Sequence, residues 1–290
     1  MKKILVPTDF SKPSKVAAIY AAHLANKINA SITLLSVINA SPSEQTLAKW
    51  KKMEMEMVKD SIEKADDLMN EIQKSVKGEI KVEYRSVLGF PISQQVEAFV
   101  KANGIDLIVM GTKGASGLKK VLMGSNAVEV INESSVPVIT VPIDAKFNPI
   151  TNIVYASDGK HLNREIRKVA LFAKALHAHL HVLRVDSPGV LKTELTDHEE
   201  SLKEKANYSD MDASILMGED VVGKLEEYIE SKKPQLLVMF TQKMSFLEKL
   251  LGNSKTRQFA FQGKTPLLTF NKSTEQFAIM QAWEFDMNFK

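Results

Sequence analysis

The sequence predicts an α/β protein built as two tandem, doubly wound, five-stranded parallel sheets. Three observations predict it. Short apolar runs alternate with amphipathic segments along the whole chain. The runs are almost continuously apolar rather than alternating, as strands covered on both faces require. Four blocks of the first half return in the same order in the second, which marks a duplication at the scale of a domain.

The repeated blocks are easily set side by side. Ile4-Leu5-Val6-Pro7-Thr8-Asp9 returns as Ile153-Val154-Tyr155-Ala156-Ser157-Asp158, and Ile32-Thr33-Leu34-Leu35-Ser36-Val37 as Leu180-His181-Val182-Leu183-Arg184-Val185. Leu107-Ile108-Val109-Met110 returns as Leu236-Leu237-Val238-Met239, and Pro137-Val138-Ile139-Thr140-Val141 as Pro266-Leu267-Leu268-Thr269-Phe270. The seam falls near Pro142 to Thr151, which has two prolines and no helical period. Expected domains are therefore 1–146 and 147–270, followed by a tail, 271–290, that carries Phe277, Ile279, Met280, Trp283, Phe285 and Phe289. Such a tail is expected to pack on the body or on a neighbour.

In the first copy, strands are expected at 3–8, 32–38, 81–87, 106–110 and 137–141. Helices are expected at about 13–28, 42–77, 91–103 and 125–134. The long second helix opens with Ser41, Pro42 and Glu44, a cap, a first-turn proline and a capping-box partner. Val58, Ile62, Ala65, Met69, Ile72 and Val76 follow helical spacing and form its expected buried stripe. The second copy has a shorter equivalent at about 191–206.

Composition narrows the function classes. The 290 residues suffice for two domains of ordinary size. A net charge of +3 is too small to argue for nucleic acid or an anionic membrane. With no cysteine there are no disulfides or thiolate metal sites, so a reducing, cytoplasmic home is expected. The first residues do not read as a signal peptide, and no apolar run approaches the roughly 18 residues of a membrane span.

The chemistry concentrates in Gly111-Thr112-Lys113-Gly114, then nine residues, then Gly124-Ser125-Asn126. Gly111 follows the fourth strand, after Met110, and Gly124 and Ser125 stand where a helix begins. The unpaired N–H groups and dipole of a helix start favour phosphate. Glycine lets backbone approach a ligand. The Ser125 hydroxyl is expected to cap the helix as well as contact phosphate, with Lys113, Lys119 and Lys120 adding positive charge. Asp9, after Thr8, ends the first strand; if the sheet reverses direction beside it, it lies in the crevice where open α/β sheets bind ligands. A carboxylate there suits a ribose or base edge and would repel phosphate. As a single residue, Asp9 reads equally well as a cap of the first helix.

The spacing G-x2-G-x9-G-[ST], with an opening strand ending Pro-Thr-Asp-Phe-Ser, resembles the universal stress protein family. The resemblance covers both halves apart from the tail. It implies a Rossmann-like sheet in the order 3-2-1-4-5 and an ATP or AMP ligand, with magnesium as a potential companion. It also implies contacts from the motif glycines and serine to phosphates and ribose, from Asp9 to the nucleoside, and from backbone near Val37 to adenine. Domains of the family commonly pair through the fifth strand, here 137–141 and 266–270. That implies a pseudo-two-fold pair inside one chain and leaves open a homodimer of chains.

The second half departs from the motif. Asp158 is kept, but Phe240 stands in the place of Gly111, Lys243 in that of Gly114, and Asn253-Ser254 in that of Gly124-Ser125, with Gly252 one position off. A phenylalanine there is a steric objection to a ligand, so one site per chain is expected, in the first half. His177, His179 and His181 share one face of a strand. A metal is not expected there, because the first copy has ordinary polar residues, Asn29, Ser31 and Thr33, and no carboxylate stands nearby in sequence. Met53, Met55 and Met57 do not share a helical face and read as adaptable packing. No phosphate-loop signature, nucleophile elbow or general base aimed at a γ-phosphate is present. The principal expectation is a non-enzymatic adenine-nucleotide-binding stress protein that acts on a protein partner the sequence does not identify. The alternatives are a nucleotide-independent interaction module using helix 42–77 and the tail, and a slow ATPase.

Overall fold

The computed structural model describes residues 2–39, 47–112, 124–157, 162–186, 195–217, 221–241 and 265–271. Lys113, Gly114, Lys119, Lys120, the cap of the long helix, Asp158, residues 243–254 and the aromatic tail all lie outside them. The chain divides into two compact units, Met1–Phe147 and Asn148–Lys290.

The first unit runs β1 (Lys3–Pro7), α1 (Lys12–Ile28), β2 (Ser31–Ile38), α2 (Leu47–Ser75), β3 (Val82–Leu88), α3 (Ile92–Asn103), β4 (Leu107–Gly111), α4 (Ser125–Glu133) and β5 (Val138–Val141). Its strands are all parallel, in the order β3-β2-β1-β4-β5. Ile4, Leu5, Val6, Leu34, Leu35 and the first three residues of β4 are wholly buried. Helices cover both faces: α1 packs on α2, and α3 on α4.

α1 starts where Ser11 takes an extended backbone and Pro13 enters the first turn, where a missing N–H costs nothing. It stops at Asn29, which adopts a left-handed conformation (φ 54°) and returns its N–H to Ala25 O. α2 differs from expectation in its buried face. Ser61, Ala65, Leu68 and Ile72 are buried, whereas Ile62 is 46% exposed. The buried row is spaced 4, 3 and 4 residues apart, which rotates the contact away from Ile62 toward Leu68. Val76 lies beyond the helix end. Met55 is largely exposed, whereas Met53 and Met57 are each covered over more than half of their surface.

The second unit repeats the plan with β6 (Asn152–Ser157), α5 (Leu162–Leu176), β7 (His179–Asp186), α6 (Leu195–Ala206), β8 (Met211–Met217), α7 (Val221–Lys232), β9 (Leu236–Thr241) and β10 (Leu267–Asn271). Its parallel order is β8-β7-β6-β9-β10, again third-second-first-fourth-fifth. Among the described residues no helix is long and apolar enough to cross a membrane.

Candidate functional site

In the first unit β1 is the pivot of the sheet: the chain moves to β2 on one side and later arrives at β4 on the other. The connections leaving β1 and β4 therefore diverge and open a crevice at the carboxyl ends of these strands. A cavity of about 310 Å³ lies there, at the small end of ligand-site volumes.

Eight of the residues singled out in the sequence line this cavity. Thr8 and Asp9 follow β1, and Val37 belongs to β2. Met110 and Gly111 end β4, and Gly124, Ser125 and Asn126 open α4. Gly114 lies outside the described residues. Among the described residues, Pro7, Ser14, Leu35, Ile92, Thr112 and Ala127 also line the cavity. Sequence reasoning missed these six, although Thr112 sits inside the glycine motif and Ser14 lies five positions after Asp9, a distance at which the first turn of α1 faces back to β1.

The loop after β1 is fixed by its own polar groups. The Thr8 N–H donates to Leu35 O at 2.9 Å, and the Thr8 hydroxyl donates to Ser14 Oγ at 3.1 Å. Ser14 Oγ in turn donates to Ser11 O at 3.0 Å. Thr8 Oγ1 also accepts the Phe10 N–H at 3.0 Å, across a Phe10 backbone held at φ 59°. The Thr8 side chain is thus committed to shaping the loop. Asp9 is exposed, and its Oδ1 accepts the Ser11 N–H at 3.0 Å. That bond makes a turn two residues on. Ser11, not Asp9, is the cap residue of α1.

The start of α4 differs from expectation in its cap. Gly124 is the cap residue, with an extended backbone (φ −67°, ψ 153°), and Ser125 is the first helical residue. The cap position is thus taken by a residue without a side chain, and Ser125 stands one place inside the helix, so the expected capping role of the Ser125 hydroxyl does not hold. The Gly124 N–H donates to Thr112 O at 2.5 Å and pins the helix start to the end of β4. The next N–H groups, from Ser125 onward, have no partner within the helix by its geometry. They place a partial positive charge on the cavity wall.

Gly111 has a reason of its own to be glycine. A Cβ there would lie 2.8 Å from Pro13 O and 2.9 Å from Pro13 C, both backbone atoms. The close approach that requires glycine is between β4 and the first turn of α1, and the ligand crevice does not have to supply it.

In the second unit a bulky side chain stands at the strand position of Gly111. Phe240 pairs with Phe270 across β9 and β10, as Gly111 pairs with Val141. Its ring is buried, stacks on Phe270 (centroids 4.7 Å apart) and meets Tyr155 edge-on at 5.7 Å. Beneath α5 the buried Tyr155 hydroxyl donates to the Glu165 carboxylate and lies 3.2 Å from Ser157 Oγ. The Lys168 ammonium stands 5.9 Å from the centre of the Phe240 ring. Burial, aided by neighbouring Arg164 and opposed by Glu165, pushes the Lys168 pKa down to about 7.

Comparison with known proteins converges on one family. A sequence profile described as the universal stress protein family matches residues 1–142. The chain is 33% identical over 143 residues to a universal stress protein of Methanocaldococcus jannaschii, MJ0531, covering 48% of this chain and 81% of that protein. It is 29% identical over 153 residues to a second from the same organism, MJ0577, covering 48% of this chain and 94% of that protein. Among solved structures, a universal stress protein from Archaeoglobus fulgidus superposes with a TM-score of 0.68 at 20% identity. That match covers 94% of this chain and 97% of the other, and shows likeness of fold across both halves.

Proposed function

We propose that this chain, which belongs to the universal stress protein family, binds an adenine nucleotide, ATP or AMP, in the crevice of its first half. One observation carries the reading: the start of α4, with glycine at its cap position, and the Asp9 carboxylate line the same cavity. The α4 start suits phosphate oxygens. Asp9, repelled by phosphate, suits a ribose hydroxyl. Leu35, Val37 and Met110 supply apolar wall for a base. A magnesium ion would accompany the triphosphate rather than belong to the protein, since Asp9 is the one carboxylate among the described lining residues.

The proposal is a non-enzymatic one. Among the described lining residues there is no histidine or lysine, and the one carboxylate is bonded into its own loop. No group there is placed as a general base for water. Nucleotide occupancy would bias how the chain meets a protein partner, while the second half, with Phe240 at the strand position of Gly111, would serve as a structural partner domain. The test is isothermal titration of ATP, AMP and GTP into protein stripped of ligand. One adenine-selective site per chain supports the proposal; no heat with either adenine nucleotide rejects it and favours the interaction module.

A further inference from the structure

A second constellation lies on the second unit, at the opposite ends of its strands. His179 and His181 share one face of β7, and Asp210 and Asp212 stand directly opposite them at and beside the start of β8. The carboxylate that the sequence did not show near these histidines is therefore supplied by the neighbouring strand. His179 Nδ1 is 2.6 Å from Asp210 Oδ1, and His179 Nε2 is 3.3 Å from Asp212 Oδ2. His181 Nδ1 is 2.9 Å from both oxygens of Asp212. One ligand atom from each of His179, His181 and Asp212 lies within 4.8 Å of the others.

We infer that His179, His181 and Asp212 form a binding site for a divalent transition-metal cation of the zinc class. The donor set is two imidazoles and one carboxylate, which such ions prefer. The 3.3 Å between His179 Nε2 and Asp212 Oδ2 is close to the edge of a tetrahedron with metal–ligand bonds of about 2 Å. Asp210 acts behind the site: by accepting the Nδ1 proton of His179 it turns the Nε2 lone pair toward Asp212, the carboxylate–histidine–metal arrangement. His181 is buried and held in place, whereas the His179 side chain is 32% exposed, so an ion can enter and a water can complete the shell. Lys232, at the end of α7, lies 3.7 Å from Asp212 Oδ2 and is the cation a metal would displace.

The first half provides an internal control. Thr33 and Glu83 occupy the register position of His181 and Asp212, and Thr33 donates to Glu83 at 3.0 Å. That pair lacks nitrogen ligands.

The experiment is titration of Zn²⁺ into the full chain, freed of metal with a chelator and without nucleotide. One ion per chain is expected, with the imidazole resonances of His179 and His181 shifting together. His179→Gln and Asp212→Asn should each weaken binding by about tenfold or more, and Asp210→Asn by about tenfold, as second-layer partners do. Thr33→Ala should bind as the parent does. Absence of Zn²⁺ binding, unmoved His179 and His181 resonances, or undiminished affinity in His179→Gln and Asp212→Asn would overturn the assignment. The resonance measurement uses the parent chain and so decides the matter even if a variant fails to fold.

Discussion

Gly111 sits against Pro13, so close that a Cβ on the glycine would come within 2.8 Å of the proline carbonyl oxygen. A strand end and a helix start are thereby locked together beside the crevice at the carboxyl ends of β1 and β4. Because the clash is with backbone, it cannot be relieved by a side-chain rotation. Gly111→Ala should therefore destabilise the first unit by roughly 1–3 kcal/mol, as overpacking does. Urea denaturation checks this; an unchanged midpoint would show that α1 can move away freely.

Gly124 contrasts with Gly111. Its φ of −67° and ψ of 153° are open to any residue. Gly124→Val should therefore keep the fold, with a loss of about 1 kcal/mol or less at this cap position, while a side chain intrudes at the cavity wall. Nucleotide affinity should fall at least about tenfold, equivalent to about 1.4 kcal/mol. Titration calorimetry paired with a thermal melt separates the two effects. Full affinity in a folded variant would sink the phosphate assignment.

Asp9→Asn tests the nucleoside end. Asparagine keeps an oxygen to accept the Ser11 N–H, so the loop should persist. The charge is lost, and with it a charge-assisted bond worth roughly 1.5–3 kcal/mol. Adenosine-containing ligands should weaken about tenfold or more, with no change in melting temperature of the free protein. Equal binding by parent and variant would assign Asp9 to the loop turn alone.

Lys168 gives the second unit a pH signature. Its folded pKa lies near 7, well below the ordinary lysine value. Between those values the unfolded chain binds a proton that the folded chain does not, so this residue makes stability rise with pH from about 7 upward. Lys168→Met should flatten the stability-versus-pH profile between pH 7 and 9, by at most about 1.4 kcal/mol per pH unit. Denaturant midpoints across that range measure it; parallel profiles would place the ammonium in a more solvated setting than the fold gives it.

Much of this architecture is legible in the sequence because doubly covered strands leave a plain mark. Ile4-Leu5-Val6 and Leu107-Ile108-Val109 are apolar on both sides, and the structure buries them wholly. The glycine motif is legible for a similar reason, since Gly111 falls at a strand end and Gly124-Ser125 at a helix start. Which atoms need each glycine is not legible. Gly111 answers to Pro13, nearly a hundred positions away in the chain. The buried face of α2 runs through Leu68 and not Ile62, because several rows of a long helix carry apolar residues and only the packing partner selects among them. The histidine cluster lacked a carboxylate in sequence because Asp212 reaches it only through the parallel register of β7 with β8.

The measurement that tests the central claim most directly is thermal unfolding of the ligand-free chain with ATP, AMP and, as control, GTP. A ligand present at 100 times its dissociation constant adds about 2.7 kcal/mol to the state that binds it. The account predicts a raised transition with ATP or AMP and none with GTP. A transition unmoved by adenine nucleotides, or moved equally by GTP, would contradict an adenine-nucleotide site between Asp9 and the start of α4.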